Sequence, residues 1–317
     1  MSDGARRVVI YSRDEAKQAA MRAAMPDPRL RWYIGDVRDE PRLADAMRGV
    51  DTVIHAAAMK RVETCEENPR EAIATNITGT ANVARACVTE GVARAVLLST
   101  DKAACPNTHY GATKLCAERL WNASNVYAAG TPTRLAATRY GNVLGSTGSV
   151  VPLWKAQSAR GEAITMTDPA MTRFWMPMSE AVDLVLLALR EMRGGEVFVP
   201  KIGAASVDTL LAAVLTHPTM VRTTGLRPGE KMHEMLISAE ESRHTHDAGT
   251  HYVIEPEART WGAVDALPFP LVPAGFSLES HTAMRQFTAD DLRWMIDGPR
   301  TRSDDRRDHD RHPARAV

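Results

Sequence analysis

A doubly wound α/β fold around a parallel sheet is what this sequence predicts, and three observations predict it. Short β-rich runs alternate with helical stretches from residue 8 onward. The apolar runs are continuous rather than alternating, as strands buried on both faces require. The connections are short, which favours strand–helix–strand units.

"RVVIYS" reads as the first strand, and Arg13 to Ala24 as the helix after it. "LRWYIG" is the next strand, Pro41 to Gly49 a helix, and "DTVIHAA" a third strand. A long helix is expected from about Asn68 to Gly91, followed by the strand "ARAVLLST" and a helix from about Tyr110 to Ala129. "TRLAATRYG" closes this series as a strand. Doubly wound sheets bind ligands beyond the carboxyl ends of their strands. "GDV", "HAA", "ST" and "RYGNV" all fall at those ends.

Past Gly148 the rhythm loosens. The helix Ser179 to Met192 and the strand "EVFVP" belong with the sheet, so a dinucleotide-binding type of domain is expected over residues 1–148 and about 178–205. Residues 149–177 and 206–298, with "GLRPGEKMHE", are expected to form a smaller substrate lobe. The tail 299–317, "PRTRSDDRRDHDRHPARAV", is charged and almost free of apolar residues, so disorder is expected there. Its histidines are better read as a solvated tail than as metal ligands.

Composition removes several classes of function. The 39 basic and 39 acidic residues cancel, which argues against a polyanion-binding surface and a nucleic-acid partner. No apolar run approaches ~20 residues, and the start "MSDGARR" has no signal-peptide core, so a cytoplasmic protein with no membrane partner is expected. Cys65, Cys87, Cys105 and Cys116 lack metal-ligand or CxxC spacing. They read as reduced thiols, and no metal site is expected. Most of the methionines read as core filler.

The chemistry concentrates in "STDKAACPNTHYGATK", Ser99 to Lys114. Tyr110 and Lys114 stand one helical turn apart and share a face. The ammonium can favour the phenolate and help it act as a base near neutral pH. Tyr-x-x-x-Lys alone is a common chance match; directly after an apolar strand ending in Ser-Thr it carries more weight. Asp101 and Lys102, just upstream, suit a second proton-transfer task, against the alternative of a surface pair capping the loop.

Several motifs together resemble the extended short-chain dehydrogenases, and more narrowly the inverting UDP-N-acetylglucosamine 4,6-dehydratases. They are "YSRDEAKQ", "GDVRD", "HAAAMK", "STDKAACPNTHYGATK", "RYGNVLGSTGSVVP", "MTRFW", "VPK" and "RPGEKMHE", and the likeness runs from about Val8 to Ile296. The resemblance implies a Rossmann-like sheet, and a reaction that removes hydride from sugar C4, eliminates water across C5 and C6, and returns the hydride to C6. It assigns the C4 hydroxyl proton to Tyr110 assisted by Lys114, the C5 proton to Lys102, and the leaving C6 hydroxyl to Asp101. Oligomers are also implied. A nucleotide-sugar epimerase would use Tyr110 without needing Lys102; a catalytically silent sugar-nucleotide-binding homologue is the non-enzyme alternative.

On the cofactor side, "SRDEAK" begins at Ser12, where a dinucleotide fold meets the adenosine ribose. Arg13 with Lys17 favours a 2′-phosphate and therefore NADP, against a merely solvated helix start. The resemblance adds Asp36 and Val37 as adenine contacts, Ala56 beside the ribose, Leu98 and Ser99 before the catalytic pair, and Val143 to Thr147 as a cofactor-facing loop. The family usually has Arg where this chain has Thr147. Lys60, Asn142, Val150, Thr167, Arg227 and Glu230 fall on substrate positions for UDP-N-acetylglucosamine. Arg227 and Asn142 suit a diphosphate, Glu230 suits sugar hydroxyls, and the alternative for Arg227 and Glu230 is a plain loop ion pair. Arg173 is expected either to orient the substrate lobe or to pack on Trp175.

In the resembling family "VVIYSRDE" is the second strand, after a first strand and a glycine-rich turn. Only seven residues stand before Val8, and no later glycine-rich strand–helix turn replaces the missing one. The turn's backbone amides would hold a pyrophosphate at a helix N-terminus. Its strand would be the middle of the sheet, so its neighbours are expected to pair directly or to leave a gap. Three explanations stand: a true start about 20–30 residues upstream, the length of one βα unit; a degenerate homologue that binds without catalysis; or an enzyme with altered cofactor binding.

Overall fold

The computed structural model describes residues 4–146, 148–215, 217, 219–257, 261–262 and 266–298. Thr147 and the tail from residue 299 lie outside the described residues. In chain order the first elements are β1 (Val8–Ser12), α1 (Glu15–Ala24), β2 (Leu30–Ile34), α2 (Glu40–Met47), β3 (Thr52–His55), α3 (Val62–Glu67) and α4 (Pro69–Ala72). A π-helical turn, Ile73–Thr78, leads into α5 (Gly79–Thr89), β4 (Arg94–Leu98), α6 (His109–Ala123) and β5 (Arg134–Thr138). Then come β6 (Asn142–Val143), α7 (Val150–Ala159), β7 (Ile164–Met166), β8 (Thr172–Met176), α8 (Met178–Glu191), β9 (Val197–Pro200), β10 (Ala204–Ser206) and α9 (Val207–Val214). β11 (Val221–Thr223), β12 (Met235–Ile237), β13 (Thr245–Asp247), β14 (His251–Ile254), β15 (Leu278–Glu279) and α10 (Ala289–Asp297) complete the chain.

These elements form two compact units. Among the described residues the first comprises 4–140, Val182–Lys201 and Met235–Leu278; the second comprises Gly141–Ala181, Ile202–Glu234 and 279–298.

In the first unit a six-stranded sheet has the order β13-β14-β9-β5-β4-β3, and β1 and β2 form a separate two-stranded ribbon. Strands β3, β4, β5 and β9 run parallel, while β14 and β13 add antiparallel partners. The mainly parallel α/β architecture expected from the continuous apolar runs is borne out. The central strands explain those runs: Ala95–Leu97, Leu135–Ala137 and all of β9 are buried. Leu184, Val185 and Ala188 of helix α8, with Met192 just after it, pack in one cluster with Val96, Ala136 and Phe198. Trp121 of α6 is fully buried, and its indole N–H donates to the Ala136 carbonyl at 2.8 Å.

Local signals set the helix ends. Asp14 and Asp39 accept backbone N–H bonds from Lys17 and Arg42 and so cap α1 and α2. The single helix expected over Asn68–Gly91 is instead broken by the π-helical turn. Asn76, buried in that turn, accepts from Met59 N at 2.8 Å and donates to Met59 O at 3.1 Å and Thr113 Oγ1 at 3.0 Å. A side chain committed to three buried partners accounts for the local widening of the helix, of a kind that recurs near functional sites. β1 is half-buried throughout and Ile54 of β3 is 50% exposed, unlike the central strands. Among the described residues β1 pairs with β2 alone and β3 with β4 alone, so of the two outcomes expected there, the strands leave a gap.

The second unit closes around Leu144, Val151, Trp154, Trp175, Leu210 and Phe287. Its sheets are β10-β8-β6 and β11-β7. Among the described residues no helix is long and apolar enough to cross a membrane, and no group of side chains is arranged to hold a metal ion.

Candidate active site

The carboxyl end of β4 carries the first group of residues. Ser99 N donates to Thr138 O at 2.7 Å and Asp101 N to Tyr140 O at 3.0 Å, so the chain keeps following β5 after β4 ends. It then closes into a 3₁₀ turn, Asp101–Ala103. Thr100 Oγ1 donates to Asp101 Oδ1 at 2.9 Å, and Lys102 Nζ donates to the same oxygen at 3.0 Å. The Asp101 side chain is fully buried, and its Oδ2 has no partner among the described residues. Lys102 keeps 27% of its side chain exposed. One carboxylate oxygen is therefore held while the other is buried without a partner among the described residues.

Helix α6 meets this turn closely. Thr108 caps it by accepting from Gly111 N at 3.0 Å. A Cβ on Gly111 would sit 2.5 Å from the Lys102 carbonyl oxygen, so only glycine permits the approach. Tyr110 is buried on this face, and burial pushes its phenol up to about 12. The Lys102 charge pulls it back down, Asp101 raises it, and a hydrogen bond with Thr100 favours the ionised form.

Lys114 is buried and donates through Nζ to the Leu98 carbonyl at 2.8 Å. Burial depresses its ammonium to about 8, with Glu118 opposing. This differs from the arrangement expected from spacing alone, in which the Lys114 ammonium favours the Tyr110 phenolate. Position i+4 puts both side chains on one face, but a buried ammonium goes to the nearest carbonyl. Lys102 is the cation that lowers the phenol here.

Thr100, His55 and Asn76 escaped the sequence reading. Thr100 links Tyr110 to the Asp101–Lys102 pair, and adjacency to Asp101 was its only signal. The His55 ring is held neutral, lowered to about 3 by burial and then by the Lys114 charge. Thr80 Oγ1 donates to Asn76 O at 2.6 Å, so the 3.0 Å contact between His55 Nε2 and that oxygen requires the proton on Nε2.

The ribbon end of the same unit is far more exposed. Ser12 Oγ accepts from Asp14 N at 3.1 Å. Arg13 lies 3.4 Å from Asp36, and Lys17 lies 3.0 Å from Asp14. Asp36 is gripped by Arg38 at 2.7 Å, a hydrogen bond that holds its carboxyl down at about 2. Val37 is buried against Gly79, and Ala56 and Lys60 are exposed in the segment after β3.

In the second unit Asn142 and Val143 form β6 and pair with Trp175 and Met176 of β8. Val150 opens α7. Thr167 O accepts from Gly225 N at 3.0 Å, which ties it to the turn bearing Arg227 and Glu230. Arg227 N donates to Glu230 Oε2 at 3.1 Å, and Glu230 lies 3.7 Å from Arg173. Arg173 is buried and donates to the Thr172, Lys231 and Met232 carbonyls. These contacts tie Arg173 to the turn that bears Arg227 and Glu230.

A nicotinamide dinucleotide is the group that this fold implies. Ser99 Oγ, buried at the end of β4 and without a partner among the described residues, fits its ribose–nicotinamide end together with Tyr110 and Lys114. The turns after β1, β3 and β4 carry no glycine.

The chain matches the family model described as polysaccharide biosynthesis protein over residues 1–256. It belongs to that family. Among family relatives, the UDP-N-acetylglucosamine 4,6-dehydratase (inverting) of Campylobacter jejuni is 46% identical over 257 residues, covering 80% of this chain and 76% of the relative. A UDP-glucose 4-epimerase of Rickettsia akari is 44% identical over 253 residues, covering 79% and 74%. Among solved structures, Pen from Bacillus thuringiensis superposes with a TM-score of 0.82 at 34% identity, covering 91% of this chain and 89% of that one. DesIV from Streptomyces venezuelae, a dTDP-glucose 4,6-dehydratase with NAD bound, gives 0.65 at 26%, covering 73% and 78%. The expected family resemblance and the Rossmann-like fold are both borne out.

Proposed function

We propose that the chain is a UDP-N-acetylglucosamine 4,6-dehydratase. The observation that carries this reading is the buried Asp101 carboxylate, with Lys102 Nζ at 3.0 Å on one oxygen and no partner among the described residues on the other, beside Tyr110. Similarity to the Campylobacter jejuni dehydratase supports it. When bound, a nicotinamide dinucleotide supplies hydride acceptance and return. Everything else is proton handling by this chain.

Tyr110 takes the proton from the C4 hydroxyl, with Thr100 and Lys102 favouring the phenolate. Lys102 takes the C5 proton and Asp101 gives one to the departing C6 hydroxyl, which leaves as water. For elimination the proton that Lys102 carries while it favours the phenolate first passes to Asp101, 3.0 Å away; the two transfers then return the pair to ammonium and carboxylate. Lys114, fixed on Leu98 O, orients the bound ribose. NADP is the preferred form on the strength of Arg13 and Lys17, with Ser12, Asp36, Val37, Ala56, Leu98, Ser99 and Val143 completing the contacts. Lys60, Asn142, Val150, Thr167, Arg227 and Glu230 hold the UDP-sugar.

The second reading, a UDP-sugar 4-epimerase, is favoured by similarity to the Rickettsia akari protein. Lys102→Ala separates the two. A dehydratase loses both product and C5 proton exchange; an epimerase keeps most of its activity.

A further inference from the structure

Lys114, Glu118 and Arg139 are buried in the first unit, and Glu241 keeps only 13% of its side chain exposed. All five N–H groups of Arg139 find acceptors. Nε donates to Glu118 Oε2 at 3.2 Å, and Nη2 donates to Glu118 Oε1. Nη2 also donates to Glu241 Oε1 and Nη1 to Glu241 Oε2, both at 2.9 Å. The remaining proton goes from Nη1 to the Leu236 carbonyl at 2.9 Å. One guanidinium thus locks two carboxylates from distant stretches, Glu118 on α6 and Glu241 in the segment after β12.

Charge does not balance within this bracket. Two carboxylates against one guanidinium leave a negative charge in excess, and a buried ion cluster is by itself weak evidence for stability. Arg119 Nη2 stands 3.9 Å from Glu241, but 59% of its side chain is exposed, so solvent screens it. Lys114 is the buried cation. It precedes Glu118 by four residues on α6, which puts both on one face. The two make no ion pair with each other among the described residues. Lys114 Nζ donates to Leu98 O instead, and both Glu118 oxygens face Arg139. Glu118 therefore acts on Lys114 through its field, raising the ammonium against the burial that lowers it.

The other buried ionisable groups on the elements around α6 do not supply that charge. His55 is held neutral, and burial raises the Cys65 and Cys87 thiols. The Tyr110 phenol is pushed up to about 12, and Asp101 is matched by Lys102 at 3.0 Å.

We infer that Glu118 is a positioning residue for Lys114. Fixed by Arg139, which Glu241 holds from its other side, the Glu118 carboxylate keeps the buried Lys114 protonated and leaves its Nζ on Leu98 O at the carboxyl end of β4. A mobile carboxylate at this place would draw the ammonium into an ion pair, away from the ribose assigned to it. A missing one would leave an amine with one N–H fewer to share between Leu98 O and that ribose. The inference rests on the role given to Lys114 above.

Lysine ¹³Cε shifts followed by NMR from about pH 5 to 10 on the full chain test it without substrate or cofactor, the Lys114 signal being the one lost in Lys114→Met. The parent is expected to titrate near 8. Glu118→Gln keeps the size of the side chain and lowers that midpoint by about one pH unit or more, a tenfold loss of proton affinity. Glu241→Gln takes an equal charge out of the bracket, leaves Glu118 in place and moves the midpoint far less. An unchanged midpoint in Glu118→Gln overturns the inference. Equal drops in the two variants overturn it as well, since they report a general loosening of the bracket. If Glu118→Gln does not fold, the parent decides. A midpoint near 8 then upholds the inference, and one below about 7 overturns it, because an uncompensated buried lysine falls that far. None of these outcomes depends on which reaction the chain performs, so failure here and failure of the dehydratase reading are told apart.

Discussion

β4 and β1 are built from similar residues and lie in different surroundings. β4 is flanked by β3 and β5, and it leads into a turn where buried Asp101 is hydrogen-bonded to Thr100 and to partly buried Lys102. β1 is flanked by β2 alone and leads into Ser12 to Lys17, whose charges sit in exposed ion pairs. The chemical end of the first unit is preorganised; its ribbon end is held by contacts that contribute little. Substitutions at the two ends are therefore expected to report through different observables.

The sharpest contrast is catalytic. Lys102→Ala and Tyr110→Phe are each expected to lower kcat by about 10²–10⁴, because each removes a proton-transfer group of the proposed reaction. Tyr110→Phe leaves the unfolding midpoint near that of the parent, measured by urea titration of the same preparation, whereas Lys102→Ala lowers it because it strips the buried Asp101 carboxylate of its cation. A Lys102→Ala variant that keeps kcat breaks the view that the chemistry is concentrated after β4.

Stability comes next. Trp121→Ala removes a fully buried side chain and its bond to Ala136, and is expected to cost about 3–5 kcal/mol. Ile10→Ala in half-exposed β1 is expected to cost less than about 2 kcal/mol. Equal losses in urea denaturation contradict the burial contrast.

Alkaline pH separates the two buried groups of α6. Burial depresses Lys114 to about 8 from 10.5, so between these values the unfolded chain holds more protons and stability rises with pH. Burial raises Tyr110 to about 12 from 10.0, so above pH ~10 the unfolded chain loses its proton first and stability falls. Lys114→Met flattens the rise and Tyr110→Phe flattens the fall, as read from thermal midpoints at pH 7 to 11.

The smallest effect is expected at the ribbon. Arg13→Ala raises KM for NADP about 10-fold while leaving KM for NAD and the stability within about 0.5 kcal/mol unchanged. Equal effects on the two dinucleotides remove the argument for NADP.

The architecture was legible where strands are long and apolar, as in "ARAVLLST" and "EVFVP", because continuous burial leaves a continuous signature. It was not legible in Thr245–Asp247, three polar residues that pattern like loop, or in His251–Ile254, an apolar run of four that is too short to show a period. The break at Ile73–Thr78 was hidden because helix periodicity is blind to one buried Asn76 pulling on the Met59 backbone. In the candidate site, spacing put Tyr110 and Lys114 on one face. It did not say that the ammonium turns to Leu98 O, since that choice follows from burial. Thr100 was missed for a related reason: a hydroxyl gains a role only from the neighbours the fold brings to it.

The most direct test is to incubate the chain with UDP-N-acetylglucosamine and NADP in D₂O and follow the sugar by NMR. The account predicts a 4-keto-6-deoxy sugar nucleotide carrying deuterium at C5. A product that keeps its C6 hydroxyl and differs only at C4, or an unchanged substrate in a chain shown to bind the dinucleotide, contradicts it.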